Sequence, residues 1–366
     1  MNRKDAIAWV LSFCTCIRLS QAKTLSELVA GTLVCPRISQ AAIGRQLAGM
    51  VKHDIKKTWR FCANPRIETA DAMRGVCKQL LKRRKKPLIV SMDWTDIRGF
   101  QTLMVAADIR GRAVPLCWAS CFKHVYDGHK SRNGFEESLL LVLRTMIPQG
   151  QKVILLADRG FGRTELGRFC QQQGFDYVIR IQPDVHVQCD SYKGKLIDYP
   201  IRKGTCKLLK SVAYRSKDNP ITQHIAIRWV HGLPKHRDEC WFLMSSLPAG
   251  AAKLTHLYGQ RMTIEELFRD HKNKRNGWSL RDTQITKPDR IDRLLLILAL
   301  AYILLCGLGL LARQTRHPHE WCTNNRLNEC SVFTIGRLML ERMQATPAAA
   351  WTALAAATEN AVPNWG

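Results

Sequence analysis

The segment PLIVSMDW at residues 87–94 begins after a basic run and consists mostly of apolar residues. TLMVAADIRGRAVPLCWAS at residues 102–120 then contains two further apolar runs, separated by Arg110 and Gly111. Short apolar runs that are bounded by turn residues are typical of β-strands. We therefore predict three consecutive antiparallel strands, which would begin the core of the protein.

Helix and strand patterns alternate after these three runs. Helical periodicity is present in FEESLLLVLRTM (135–146) and TELGRFCQQQ (164–173), and buried-strand patterns in KVILLAD (152–158) and FDYVIRI (175–181). From about residue 186 to 252, short β-like runs are separated by polar and Pro/Gly turns. This order predicts an α/β fold with a mixed-sheet core.

The composition indicates a globular protein with a polyanionic partner. The 366 residues are 46% apolar, and 56 Lys and Arg against 30 Asp and Glu give a net charge of +26. An excess of this size attracts nucleic acid, although an anionic membrane or a general basic surface would also account for it. The basic residues are spread along the whole chain, which favours a long ligand such as a DNA duplex.

The 14 cysteines include no C-x-x-C pair, and His317 and His319 have no companion ligands at metal-site spacing. We expect reduced, mostly packed thiols and no transition-metal site.

The longest apolar run is LLLILALAYILLCGLGLLA at residues 294–312, which is long enough to cross a membrane. Arg290 and Arg293 precede it, and Arg313 and Arg316 follow it, so the flanks show no positive-inside asymmetry. A helix that is apolar on all sides can equally be the core helix of a large protein. We predict a buried helix.

The region from residue 1 to about 86 is predicted to be helical and basic. Its start, MNRKDAIAWVLSFCTCIRLSQA, resembles a weak signal peptide, but Asp5 and the short apolar run favour a first helix. ISQAAIGRQLAG (38–49) has the pattern of a short recognition helix, and VKHDIKKTWRF (51–61) is a second basic amphipathic segment. A plain helical bundle explains both segments equally well.

YGQRMTIEELFRDHK at residues 258–272 combines an aromatic residue, bases and acids in one helical pattern. At about 100° per residue, Tyr258, Arg261, Glu265 and Lys272 would fall within roughly a 60° arc of one helix. A carboxylate on a rigid element would then be flanked by groups suited to phosphate. The alternative is an amphipathic helix whose charged face is only solvated.

Two aspartates follow apolar strand patterns: Asp93 in VSMDWTD and Asp158 in VILLAD. Each alone could be an ordinary strand-end or turn aspartate. Together with Glu265, they are three carboxylates from separate elements that could converge on Mg²⁺ or Mn²⁺, since these ions prefer oxygen ligands. Two such ions about 4 Å apart can activate an attacking oxygen and stabilise a leaving oxygen of a phosphodiester.

These residues resemble the motifs of DDE transposases from bacterial insertion sequences. Asp93 in MDWTD matches the first family aspartate, Asp158 in ADRGF the second, and Glu265 the catalytic glutamate. The Y-x2-R-x3-E-x6-K signature of a cut-and-paste subgroup is filled at full spacing, and the similarity extends over roughly residues 20–312. The resemblance implies a ribonuclease-H-like core with a β-rich insertion and helical terminal regions.

The resemblance also implies an activity. Asp93, Asp158 and Glu265 would hold two Mg²⁺ or Mn²⁺ ions, and the enzyme would bind terminal inverted repeats, cut DNA through a hairpin intermediate and transfer the strands to a target. Tyr258, Arg261 and Lys272 would contact phosphates near the cleaved bond.

Trp241 in CWFLMSSLP stands where the subgroup has a tryptophan that stacks on a flipped base. A buried core tryptophan is the alternative for this residue.

The expected partners are double-stranded DNA, as transposon ends and target, and a second copy of the chain in a homodimer on DNA. No membrane is expected as a partner. The expected location is the bacterial cytoplasm, in association with the nucleoid.

The predicted organisation has five segments. They are a helical DNA-binding region (1–86), the first part of the catalytic core (87–185), the β-rich insertion (186–252), the second part of the core (253–312) and a helical C-terminal region (313–366).

Three other functions remain open at the level of the sequence. They are a metal-dependent nuclease on the same fold, a non-catalytic DNA-binding protein derived from a transposase, and a membrane protein.

Overall fold

The computed structural model describes the chain apart from residues 83, 110, 124–128, 216, 218, 230–239, 276, 324–329 and 362–366. Arg110 and the end of the predicted strand pattern HIAIRWVHG therefore lie outside the described residues. The described chain divides into two compact units. The helical unit comprises Met1–Arg84, Trp94–Gln149 and Thr263–Ala361, and the sheet unit comprises Lys85–Asp93 and Gly150–Met262.

Within the described residues the chain forms twelve α-helices. They are α1 (Arg3–Phe13), α2 (Leu19–Leu33), α3 (Gln40–Arg45), α4 (Val51–Ala63), α5 (Thr69–Leu81), α6 (His129–Met146), α7 (Thr164–Gln172), α8 (Ala251–Gly259), α9 (Met262–Lys272), α10 (Pro288–Thr315), α11 (Val332–Arg342) and α12 (Pro347–Asn360).

The same part of the chain forms ten β-strands. They are β1 (Leu88–Ile97), β2 (Phe100–Asp108), β3 (Ala113–Phe122), β4 (Val153–Ala157), β5 (Phe175–Arg180), β6 (His186–Cys189), β7 (Tyr192–Lys195), β8 (Cys206–Tyr214), β9 (Ile221–Arg228) and β10 (Trp241–Ser245). The chain is therefore of the α/β class, as predicted.

Parallel strands form the centre of the sheet unit. β4 pairs in parallel with β1 on one side and with β5 on the other. All five residues of β4 are buried, which is typical of a parallel strand that is covered on both faces. The helix α7 connects β4 to β5 and packs against β5.

The β-like runs after residue 186 continue this sheet. β10 pairs antiparallel with β5 and with β9, and the order then runs through β8 and β6 to β7. The predicted insertion is thus hydrogen-bonded to a core strand along its edge. The predicted domain boundaries themselves stay a prediction.

The core of the sheet unit lies between its strands and α8. Ile89, Leu156 and Leu243 from three strands pack in one apolar cluster with Leu257 and Tyr258 from α8. Burial of aliphatic side chains stabilises such a cluster by roughly 1.5–3 kcal/mol for each fully buried residue. The helix α8 therefore has a fixed position on the sheet.

In the helical unit, β2 pairs antiparallel with β3, and Arg98 and Gly99 form a two-residue turn between β1 and β2. Both turn residues have positive φ angles, as two-residue hairpin turns require. The three consecutive strands predicted from the sequence are confirmed. The helices α5, α6 and α10 pack against β3.

The longest helix, α10, contains the apolar run for which a membrane span was considered. It is long and apolar enough to cross a membrane, but 94% of its most hydrophobic window is buried inside the protein. It packs against α2, α11, α12 and β3. The prediction of a buried core helix agrees with this structure.

One prediction about secondary structure is wrong. The segment 258–272 is not one helix, because α8 ends at Gly259 and α9 begins at Met262. Glycine is among the poorest helix formers, and Gln260 closes α8 with backbone bonds to its last turn. The single arc calculated for Tyr258, Arg261, Glu265 and Lys272 therefore does not describe this segment.

Candidate active site

Three neighbouring parallel strands bring three charged residues to one level of the sheet. Met92 of β1 is paired with Ala157 of β4, which is paired with Ile179 of β5. The residues that follow these three are Asp93, Asp158 and Arg180. Neighbouring strands lie about 4.8 Å apart, so the three side chains belong to one small area at the carboxyl ends of β4 and β5.

The position of Asp93 differs in one respect from the prediction. The strand β1 does not end there but continues to Ile97, whereas its pairing with β4 ends at Met92. Asp93 is therefore held by a regular strand, and it lies where β4 no longer covers that edge of β1.

The backbone after β4 fixes Asp158. This residue caps a short 3₁₀ turn, Arg159–Phe161, and its Oδ1 accepts a hydrogen bond from the Gly160 N–H at 2.8 Å. Phe161 is buried under the turn. The segment ADRGF thus folds into a rigid cap that holds the carboxylate in place.

Arg261 connects this area to the end of α8. Its Nη1 lies 3.2 Å from Oδ2 of Asp93, and the side chains are only 10% and 15% exposed. The carboxylate is therefore partly neutralised by a guanidinium in a poorly solvated place. A guanidinium of this kind can also bind phosphate through two parallel hydrogen bonds.

Tyr258 lies between two guanidinium groups. Burial raises the pKa of its hydroxyl, against the lowering effect of the Arg261 and Arg180 charges, and the Arg261 guanidinium lies 5.9 Å from its ring centroid. Burial, and next the nearby charge of Arg159, lower the pKa of Arg180. Since the Tyr258 hydroxyl keeps its proton, it can donate to an oxyanion while the guanidinium groups add positive charge.

Trp241 begins β10 and lies beside the same cluster. Its ring meets the Tyr258 ring edge to face at 5.1 Å, and the Arg228 guanidinium lies 5.5 Å from its centroid. Trp241 is half-buried and packs against the core cluster of the sheet unit. It therefore has contacts of a core residue and retains an accessible part.

The other two predicted site residues lie in the helical unit. Glu265 stands in the first turn of α9, and Lys272 is the last residue of that helix. The Lys272 Nζ donates to Oγ1 of Thr95 at 2.8 Å and lies over the Phe268 ring. Thr95 follows Asp93 by two positions on β1.

A buried ion pair holds α9 in the helical unit. Asp270 of α9 accepts from Nε of Arg112 at 2.6 Å and from the Tyr302 hydroxyl at 2.8 Å. Arg112 also lies 3.4 Å from Glu266, the neighbour of Glu265. Arg112 stands between β2 and β3 and Tyr302 on α10, so two elements fix the helix that carries Glu265.

The arrangement supplies hard oxygen donors and cations. Among the residues that the structure describes, no group of three or more His, Cys, Asp or Glu side chains was found that could hold a metal. Asp93 and Asp158 on adjacent strands fit an alkaline-earth or Mn²⁺ ion by their chemistry, since such ions prefer carboxylate oxygens. The cations around them suit a phosphodiester.

A comparison with protein families gives one match. The model of the transposase DDE domain covers residues 84–304, which is more than half of the chain. The chain belongs to the DDE transposase family. Comparison with curated proteins gives no match.

Membership in this family agrees with the observed sheet and identifies the fold as a ribonuclease-H-like core. It also indicates the general type of enzyme, a transposase or nuclease that acts on DNA. The individual roles of all seven predicted site residues stay predictions: Asp93, Asp158, Trp241, Tyr258, Arg261, Glu265 and Lys272.

Sequence reasoning missed Arg180, Arg159 and the pair formed by Arg112 and Asp270. Arg180 lies within the strand pattern FDYVIRI and is the last residue of β5, so its level beside Asp158 could have been predicted from the order of the strands. Arg112 carries no such signal, because its partner lies 158 residues away.

Proposed function

We propose that this protein is a cut-and-paste transposase of the subgroup with the Y-R-E-K signature. It binds the terminal inverted repeats of an insertion sequence and nicks the DNA at each end. The freed 3′-hydroxyl attacks the opposite strand to form a hairpin, which is reopened before the ends are joined to a target.

The observation that carries this proposal is the common level of Asp93 and Asp158 on β1 and β4. Two carboxylates on neighbouring strands of a DDE transposase domain are suited to hold a metal ion against a phosphodiester. Glu265 is the third proposed ligand, on a helix that is fixed by buried contacts of Asp270.

The proposed cofactor is Mg²⁺ or Mn²⁺, with two ions in the assembled site. Bound there, the ions would supply Lewis acidity to the attacking and the leaving oxygen of the phosphodiester. No protein side chain has to act as the nucleophile, because water attacks first and a DNA hydroxyl attacks afterwards.

The cations and the tyrosine would position the DNA. Arg261 is held by Asp93 and lies beside the Tyr258 ring, so its guanidinium is already oriented before DNA arrives. Tyr258 can donate to a phosphate oxygen, and Lys272 is held by Thr95 at the end of α9. Charged donors of this kind orient a phosphodiester and stabilise the charge of its transition state.

Trp241 is proposed to hold a flipped base during hairpin formation. Its half-buried ring and the adjacent Arg228 offer a stacking surface with a nearby cation. Stacking on an aromatic residue contributes about 1–3 kcal/mol per base.

The transposase is proposed to act as a homodimer on DNA, because both ends of the element must be brought together. Its proposed location is the bacterial cytoplasm, where the net charge of +26 favours association with the nucleoid.

The proposal is tested by cleavage of duplexes that carry the ends of the element flanking the gene. The purified protein is incubated with these ends and Mg²⁺, and nicks, hairpins and strand-transfer products on supercoiled plasmid are counted separately. Asp93→Asn, Asp158→Asn and Glu265→Gln are expected to reduce cleavage at least 10³-fold and to leave end binding intact, because phosphate neutralisation supplies most of the affinity.

The exposed carboxylates Asp190 and Glu341 provide matched controls. Asp190→Asn and Glu341→Gln should cleave at the wild-type rate. Cleavage without strand transfer would identify a nuclease instead of a transposase. Binding without cleavage in Mg²⁺ or Mn²⁺ would identify a non-catalytic DNA-binding protein.

The same assay separates the two roles of Trp241. Trp241→Ala should slow hairpin formation by roughly one to two orders of magnitude, because each 1.36 kcal/mol is a factor of ten. First-strand nicking should change much less. An unchanged hairpin rate together with a lower melting temperature would show that Trp241 is only a core residue.

A further inference from the structure

The helix α4 has an exposed basic face that the site described above does not use. Lys52, His53, Lys56, Trp59 and Arg60 are all exposed. Residues that are three, four and seven positions apart lie on the same side of a helix, so Lys52, Lys56 and Trp59 form one row. This row is about 10 Å long at a rise of 1.5 Å per residue.

The opposite face of α4 fixes the helix in the N-terminal bundle. Asp54, Thr58, Phe61 and Cys62 are buried. Oδ2 of Asp54 accepts from the Gly49 N–H at 2.7 Å, immediately before the helix. The acid of α4 therefore points inward, and the bases point outward.

Trp59 adds an exposed aromatic ring to the row of lysines. The side chain is 49% exposed, and the guanidinium of Arg290 lies 4.8 Å from its ring centroid. Arg290 comes from the start of α10, so a second element adds positive charge to the face.

The charges on the face are not neutralised by nearby acids. Lys57, beside the face, is paired with Glu27 at 2.9 Å and with Asp54 at 3.6 Å. Lys52 and Lys56, in contrast, form no ion pair among the residues that the structure describes. They remain available to a polyanion.

A cleft with both polar and apolar lining runs beside α4 and extends this face. It has a volume of about 420 Å³ and lies between α2 and α4. Ser20, Gln21 and Thr24 line it from α2, and His53 and Arg60 line it from α4. Hydroxyl, amide and basic side chains are the groups that proteins use to contact the DNA backbone.

The preceding helix, α3, supports α4. It has only six residues, and its Ile43 and Gly44 are buried. A Cβ at Gly44 would lie 2.6 Å from Cα of Ile55, so glycine permits the close approach of α3 to α4. The pair therefore has the order of a helix-turn-helix motif, in which the second helix enters the major groove.

We propose that α4, and not α3, is the helix that docks on the DNA duplex. Its exposed row faces the major groove, and the cleft between α2 and α4 takes phosphates of one strand. The inference rests on the proposed transposase function and names the surface by which that function reaches DNA. Between the two polyanions, duplex DNA is favoured over an anionic membrane because the exposed basic side chains of α4 outnumber its exposed apolar ones, which are Val51 and Trp59.

The test compares two double variants of the full chain. Lys52→Ala/Lys56→Ala removes two charges from the proposed surface, and Lys4→Ala/Lys78→Ala removes two exposed lysines from α1 and α5 as the control. Each protein is titrated with a 30-base-pair duplex from the element end and with a scrambled duplex, from 50 to 200 mM salt. Melting temperatures show whether each variant is folded.

The expected result follows from counterion release. Each lost phosphate contact reduces the salt slope by about 0.9, so two contacts reduce it by roughly 1.8. At 0.1 M salt, a slope that is smaller by about 1.8 makes the affinity of Lys52→Ala/Lys56→Ala roughly 60-fold weaker than that of the wild type, for either duplex. The control variant should keep the slope and the affinity of the wild type.

A second measurement locates the surface without removing charge. A photoreactive residue in Trp59→p-benzoylphenylalanine should cross-link to the duplex, whereas the same residue in Leu338→p-benzoylphenylalanine, at an exposed position of α11, should not. Equal salt slopes for the two double variants, or no cross-link at position 59, would overturn the inference.

The outcomes also separate this inference from the proposed function. If the wild type cleaves element ends but the α4 variant keeps full affinity, only the docking surface is wrong. If the wild type binds neither duplex, both are wrong. A third result would also overturn the inference. If Lys52→Ala/Lys56→Ala loses binding to vesicles with one-third phosphatidylserine but binds the duplex like the wild type, the face is a membrane surface.

Discussion

The ion pair between Asp93 and Arg261 should couple the two residues energetically in the metal-free protein. The substitutions Asp93→Asn and Arg261→Met remove the charges with little change of volume. The contact of 3.2 Å and the low exposure of both side chains are the basis of the prediction.

The magnitude follows from the distance and the surroundings. At 3.2 Å and an effective dielectric constant of about 20, the Coulomb attraction is roughly 5 kcal/mol. Desolvation of both charges offsets much of this value. We therefore expect a coupling free energy of about 1–3 kcal/mol, within the range measured for residues in one network.

The assay is a double-mutant cycle. Urea unfolding of the wild type, the two single variants and the double variant is measured in a chelating buffer, and the coupling is the non-additive part of the free energy of unfolding. The pair Arg269 and Glu266 provides the control, because it is 2.7 Å apart but 64% and 26% exposed. An exposed pair one helical turn apart should couple by about 0.5 kcal/mol or less.

The reasoning is refuted if the Asp93 and Arg261 substitutions add to within about 0.5 kcal/mol. A coupling no larger than that of Arg269 and Glu266 would have the same meaning. In either case Arg261 does not neutralise Asp93 in solution, and its orientation toward a phosphate would need another cause.

Two further predictions concern the fold. Gly309→Ala in α10 should lower the free energy of unfolding by at least about 2 kcal/mol, because the added Cβ would overlap the Val332 carbonyl oxygen of α11. Gly134→Ala, in open space on α6, should instead raise the free energy of unfolding by roughly 0.5–1 kcal/mol. Equal urea midpoints for the two variants would contradict this prediction. Burial raises the pKa of Asp292 to about 6, although its carboxylate accepts from the Ser120 N–H. The folded state therefore binds this proton more tightly than the unfolded chain, and its stability falls as pH rises between about 4 and 6. Asp292→Asn should stabilise the protein by roughly 1–3 kcal/mol at pH 8 and by little at pH 3.5, and a pH-independent effect would show that the charge is not the cause.

The sequence predicted the strands and the buried helix because local patterns determine them. The apolar runs at 87–94 and 102–120 became β1 to β3, and the run at 294–312 became the centre of α10. Arginines flank the run at 294–312 on both sides, and a helix that is apolar on all sides is suited to the core of a large protein. These two features were sufficient to predict a buried helix instead of a membrane span.

The prediction of one helix across residues 258–272 was wrong because periodicity does not register a break of two residues. Tyr258 and Arg261 belong to the sheet unit, whereas Glu265 and Lys272 belong to the helical unit. The helix-breaking tendency of Gly259 was the only local signal. Spacing along the chain therefore matches a family signature, whose roles stay predictions, but it gave a wrong geometry for these four residues.

The position of Arg180 beside the two aspartates could not be predicted from any single strand. Asp93, Asp158 and Arg180 are separated by 65 and 22 positions along the chain, and only the pairing of β1 with β4 and of β4 with β5 brings them to one level. Each aspartate alone follows an apolar run and has an ordinary strand-end or turn interpretation, and Arg180 is the last residue of its strand. Once the parallel order is known, however, the residue that follows each run becomes a neighbour of the other two. Since two acids at one level repel each other, a base on the next strand offsets part of that repulsion. Arg180 and Arg261 thus supply positive charge beside the two acids, which is why the two arginines belong to the same site as the acids.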